Sequence, residues 1–177
     1  MNQNASKLIM LLLPFLFFMA SCSSASRTYN GSSRSNTTRK SADRGSRKEL
    51  RKDIAVHSRQ YKGIKYKYAG KIPKTGFDCS GFTSYVLMQF NIEISSVSKT
   101  QARMGKEIPV KRAKPGDLIF FGKGRKVTHV ALVTKNTREG VFVIHSTSSK
   151  GIMEQNVSKS SYWKPKILFA RDVITRR

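Results

Sequence analysis

Three side chains of this 177-residue chain have the chemistry of acyl transfer: the thiol of Cys79 and the imidazoles of His129 and His145. A thiolate attacks carbonyl carbon. An imidazole within reach takes the thiol proton and later returns it to the leaving amine, while a third polar group holds that ring in the right tautomer. We assign His129 as the base and His145 as its orienter, an order that the residues alone leave reversible. The plain structural alternative is a buried Cys79, since free cysteines are among the most buried residue types, with both histidines incidental.

Each of these groups has to be delivered by an element. Phe82, Val86 and Phe90 recur every four residues after the extended approach Lys74-Thr75-Gly76, so a helix opens at Cys79. Asp78 has a side-chain oxygen suited to capping its free amides, and Gly81 keeps the first turn narrow enough for another segment to lie close. A thiol at a helix N-terminus feels the partial positive charge of unpaired amides, which predicts a lowered pKa and a larger thiolate fraction. The amides of Cys79 and its turn are the expected oxyanion donors, with Tyr66, Asp78 and Ser80 as the remaining oxyanion and substrate-binding residues. Tyr66 can equally be a packing residue.

The histidines fall on two apolar runs, His129-Val130-Ala131-Leu132-Val133 and Val141-Phe142-Val143-Ile144-His145. A symmetric hairpin with Thr134 facing Gly140 pairs residues whose numbers sum to 274, which sets His129 opposite His145 on one face. A slip of one residue would turn one ring to the other side.

Before the cysteine helix, residues 49–61 carry Leu50 and Ile54 at helical spacing, with His57 structural or solvent-exposed. The aromatic segment Gly63-Ile64-Lys65-Tyr66-Lys67-Tyr68-Ala69-Gly70 comes next. Beyond the helix, residues 94–105 read as loop plus a short helix at Lys99 to Met104. Lys114-Pro115-Gly116-Asp117 is a turn opening the buried strand Leu118-Ile119-Phe120-Phe121. Tyr162-Trp163 is read as a turn with Trp163 packing, and residues 167–173 as a closing strand.

Lysine and arginine outnumber acids 34 to 10, for a net charge of +24. Such an excess attracts polyanions without selecting one. One medium domain is expected over residues 49–177. Residues 8–19 are apolar between Lys7 and Ala20-Ser21-Cys22, the layout of a secretory signal over residues 1–21, too short to span a bilayer comfortably. Met19-Ala20-Ser21-Cys22 resembles a bacterial lipobox, which makes Cys22 the lipid attachment point. That leaves Cys79 without a disulfide partner. Residues 22–48, rich in Ser, Thr, Asn and Arg, read as a flexible basic tether. A membrane-anchored lipoprotein facing the periplasm or cell envelope is therefore expected, with no nucleic acid as partner.

Taken together, Gly63 to Gly70, Phe77-Asp78-Cys79-Ser80-Gly81-Phe82, Pro115-Gly116-Asp117-Leu118-Ile119-Phe120-Phe121, Thr128-His129-Val130-Ala131-Leu132-Val133 and Ile144-His145-Ser146 resemble the NlpC-type, papain-like family of cell-wall cysteine peptidases. They are similar in particular to those of the small Spr-type murein endopeptidase lipoproteins. The resemblance implies an α+β fold with the cysteine helix packed on a small antiparallel sheet. It also implies cleavage of peptidoglycan stem or cross-link peptide bonds, with Cys79 as nucleophile, His129 as base, His145 as third member, Tyr66 lining the site, and no metal or other cofactor; a monomer is expected. Ala69-Gly70 stands where many members carry two glycines. The competing reading is a non-catalytic wall-binding or assembly lipoprotein of the same fold, and a nucleic-acid binder is a more distant one.

Overall fold

A computed structural model describes residues 34–175. The expected signal peptide and Cys22 lie outside the described residues. Helix α1 spans Arg34–Ser58 and continues as a 3-10 turn, Arg59–Tyr61. The expected helix at residues 49–61 is thus the end of a longer one, and the expected tether is helical from Arg34 onward rather than coil. Ala, Arg, Lys and Ser are compatible with helix, and extension from an existing turn costs far less than nucleation. Residues 42–46 are exposed, so this part of α1 depends for its anchorage on the helix's C-terminal half.

The anchor there is Arg51. Its guanidinium donates to Asp117 at 2.6 Å, to Asp172 at 2.8 Å and to the carbonyl of Pro115 at 3.0 Å, while the amide of Lys114 donates to the other Asp117 oxygen at 2.8 Å. Asp117 is 1% exposed. Burial pushes its carboxyl up to about 6 against the pull of Arg51. One arginine thereby ties α1 to the turn that opens the main sheet and to the end of its closing strand. Gly116 makes that turn with a φ of 85°, a conformation that costs a glycine little.

Strands β1 (Lys71–Ile72) and β2 (Gly76–Phe77) form a small hairpin that delivers the chain to helix α2 (Cys79–Met88). A short helix α3 (Ser98–Gln101) comes after it. The main sheet comprises β3 (Lys106–Ile108), β4 (Leu118–Lys123), β5 (Lys126–Thr137), β6 (Gly140–Thr147), β7 (Gly151–Asn156) and β8 (Ile167–Asp172). Its order is β3-β8-β4-β5-β6-β7, and every pairing is antiparallel. This is the expected α+β arrangement. Two of its strands, β3 and β7, carry no clear signal in the sequence. β7, Gly-Ile-Met-Glu-Gln-Asn, has two adjacent apolar residues followed by three polar ones and no alternation to betray it.

Both faces of the sheet are buried, which is why β4 reads as an unbroken apolar run. Leu118 and Phe120 join Leu132, Ile144 and Ile152 in a core under α2, which contributes Phe82, Val86 and Leu87. Ile119 and Phe121 join Ala131, Val133, Val141 and Val143 on the opposite face, where Trp163 covers them. A fully buried Leu, Ile or Phe adds about 1.5–3 kcal/mol by removal from water. Behind α2, Gln101 is fully buried and bonds the carbonyls of Ser80 and Ser95 and the hydroxyl of Thr83. That network fixes the first turn of the helix against α3.

The candidate active site

Helix α2 begins at Cys79 as expected. The Asp78 carboxylate accepts from the amide of Gly81 at 2.6 Å and from the hydroxyl of Ser80 at 3.1 Å. A Cβ on Gly81 would collide with the carbonyl oxygen of Gly70, so the narrow first turn does allow a neighbouring loop to close on it. The same loop is held by the amide of Asp78, which donates to Gly70 at 3.0 Å. Residues 65–67 run beside β2: the amides of Lys67 and Phe77 donate to the carbonyls of Phe77 and Lys65 respectively. Tyr66 is thereby set next to Cys79, and its phenol pKa is raised first by burial and then by its neighbour Cys79.

Tyr66, Cys79 and His129 line one open cleft of about 1120 Å³. Asp78 and Ser80 do not line it; their polar atoms are spent on the helix cap. Cys79 is half-buried. Its thiol is pushed up by burial, and the backbone of Val130 and the first amides of α2 only partly oppose that push. This corrects the expectation from the helix terminus alone. A few fixed dipoles do not outweigh loss of solvent around a charge.

His129 Nε2 lies 2.9 Å from His145 Nδ1. The route to that contact differs from the symmetric hairpin. The turn is tighter, with Thr137 opposite Gly140, so paired numbers sum to 277, and an odd displacement from 274 would have sent the rings to opposite faces. A bulge between Val133 and Lys135 removes one step, leaving Leu132 opposite Ile144 and a sum of 276. With the face restored, His129 and His145 become diagonal neighbours instead of a directly opposed pair. β6 is tied to the cysteine approach by the hydroxyl of Ser146, which donates to the Phe77 carbonyl at 2.7 Å.

Both imidazoles are held below the ordinary histidine range, His129 by burial and then by the neighbouring His145, and His145 by burial. With the thiol raised and the rings lowered, the neutral thiol and neutral imidazole are the favoured forms near neutral pH. Proton transfer from Cys79 to His129 then belongs to the moment of attack.

Two residues that sequence alone does not assign to the site belong to it. Trp163 stacks on His129 with ring centroids 4.6 Å apart and 29° between planes, and its centroid lies 5.0 Å from that of His145. It packs, as expected, but on the imidazole pair. Gln155 on β7 brings its side-chain amide nitrogen to 3.1 Å from His145 Nε2. Lys123, Lys150 and Lys166 also line the cleft, and among the described residues no Asp or Glu does. His57, by contrast, bonds the hydroxyl of Tyr61 at 2.9 Å away from the site.

The sequence profile of the NlpC/P60 family matches residues 63–172. Gamma-DL-glutamyl hydrolase of Bacillus subtilis (strain 168) is 36% identical over 124 residues, 68% of this chain and 29% of that protein. Murein DD-endopeptidase MepS/murein LD-carboxypeptidase of Escherichia coli (strain K12) is 31% identical over 117 residues, 66% of this chain and 59% of that protein. Among solved structures, the NlpC/p60 domain of peptidoglycan hydrolase SagA superposes with a TM-score of 0.56 at 32% identity, covering 67% of this chain and 95% of that one. The chain thus spans less than a third of the Bacillus relative and under two thirds of the Escherichia one.

Proposed function

The chain belongs to the NlpC/P60 family, and from that premise we propose that it is a peptidoglycan endopeptidase that hydrolyses a stem or cross-link amide through a thioester on Cys79. The observation that carries the reading is one cleft lined by both Cys79 and His129, with the second nitrogen of His129 bonded to His145. In the first half-reaction His129 takes the thiol proton as sulfur attacks the carbonyl carbon. The tetrahedral oxyanion develops beside the opening amides of α2 and the Tyr66 phenol. Collapse expels the amine, which receives the proton from His129. Water, deprotonated by the same ring, then attacks the thioester and releases the acid, regenerating the thiol. His145 orients His129 throughout.

Lys123, Lys150 and Lys166 give the cleft a positive lining, suited to the carboxylates of muramyl peptides. The relatives' names mention both DL and DD bonds. Action on peptidoglycan supports an envelope or extracellular location, where lipid on Cys22 would hold the chain at a membrane surface. Among the described residues, no helix is long and apolar enough to cross a membrane.

The test is digestion of purified cell walls by the full chain and by its Cys79→Ala variant, with mass spectrometry of the soluble fragments. Release by the native chain alone is expected, and the fragment masses identify the bond. No release by the native chain would replace the peptidase reading with that of a wall-binding protein, and equal release by both chains would remove Cys79 from the nucleophile's role.

A further inference from the structure

A base must present an unprotonated nitrogen to the thiol, and the hydrogen bonds behind His129 decide which nitrogen that is. His129 Nε2 is engaged by His145 Nδ1 at 2.9 Å, so only His129 Nδ1 is free for Cys79. In the neutral ring Nδ1 accepts a proton only when the hydrogen sits on Nε2. That hydrogen must then be donated to His145 Nδ1, which obliges His145 to carry its own hydrogen on Nε2. The next group along must therefore be an acceptor. That group is the side-chain amide of Gln155, 3.1 Å from His145 Nε2.

Gln155 pairs with Val143 in the sheet and lies diagonal to His145, which pairs with Met153. Its amide offers either an acceptor or a donor. With the nitrogen toward His145 the amide donates. His145 then holds its hydrogen on Nδ1, His129 holds its own on Nδ1, and the base is unable to accept the thiol proton. A half-turn of the amide presents the oxygen and reverses all three hydrogen bonds. His145 is fully buried, and among the described residues its two ring nitrogens bond to His129 and Gln155.

We propose that Gln155 is a positioning residue whose amide orientation selects the tautomer of the His145–His129 pair, oxygen inward making His129 Nδ1 basic and nitrogen inward silencing it. No charge changes in this exchange, so it moves hydrogen positions only. The proposal rests on the reading of His129 as base, but its direct readout needs no substrate.

Long-range proton–nitrogen correlation spectra of the full chain report which nitrogen of each imidazole bears hydrogen. In the Gln155→Glu variant, an acceptor of the same shape, both rings are expected to carry hydrogen on Nε2. In Gln155→Leu that preference should be lost. In turnover, Gln155→Leu is expected to lower kcat about 10- to 100-fold, the scale seen when a partner orienting a histidine is removed, with KM changed less than about twofold, while Gln155→Glu keeps kcat within about threefold of the native value. Identical tautomers in the Glu and Leu variants would overturn the proposal, as would loss of turnover in both with no change in hydrogen positions. If the native chain releases no fragments from cell walls, the peptidase reading fails while the tautomer measurement still decides this one.

Discussion

The indole of Trp163 lies 4.6 Å from the imidazole of His129, centroid to centroid and nearly parallel, while its neighbour Lys166 sits over the ring of Tyr162. The tryptophan shields the base from water on one face and contributes to the burial that lowers its pKa. It is also the only tryptophan in the chain. Protonated imidazole quenches indole emission, so Trp163 fluorescence reads the charge of the ring on which it stacks. Quenching is expected only well below the ordinary histidine value of about 6.5, and His129→Phe should remove most of it. A midpoint at or above that value would show His129 to be solvated.

Because burial raises the Cys79 thiol and lowers its base, alkylation should require alkali. The rate of modification by iodoacetamide is expected to climb through a midpoint above the ordinary cysteine value of about 8.5, the thiolate being the reactive species. A rate that stays flat into acid would mean a preformed thiolate–imidazolium pair.

Gly81→Ala tests the close contact between α2 and the Tyr66 loop. The new Cβ would run into the Gly70 carbonyl, and that oxygen is backbone already bonded to Asp78. Thermal unfolding should show a loss of about 1–3 kcal/mol, with a fall in wall digestion as Tyr66 moves from the thiol. Native stability would mean the loop yields freely.

Arg51→Met removes the partner of a carboxylate that is 1% exposed. Leaving Asp117 buried without its cation should cost about 3–5 kcal/mol, read from urea unfolding, and the double variant Arg51→Met with Asp117→Leu should regain much of it. No regain would place the effect in packing of α1.

Much of the site is legible without the fold, for local reasons. A four-residue apolar period, a carboxylate one residue before the helix and a glycine two after the cysteine specify a capped helix with Cys79 at its start, because caps and periodicity act within a few residues. The runs carrying His129 and His145 are visible as strands for the same reason. Gln155 is not, since β7 has a mixed composition and exists because its backbone completes the edge of the sheet beside β6. Nor is the role of Trp163, which reaches the histidines from a loop whose sequence records only that a large ring packs somewhere.

The hairpin marks the boundary between the two kinds of information. Sequence alone determined that two histidines sit on neighbouring strands, because strand preference and turn chemistry are local. Whether they share a face is a matter of parity, and there the tighter turn and the bulge each count one way or the other. Parity belongs to the packing of the whole sheet, since both of its faces are buried and each takes its own side chains, Val133 and Val143 with Trp163 on one and Leu132 and Ile144 under α2 on the other. The protonation of the site was decided there too: the helix terminus favours a thiolate, but the desolvation that reverses the preference comes from segments distant in sequence, and no short stretch of sequence encodes how closely they approach.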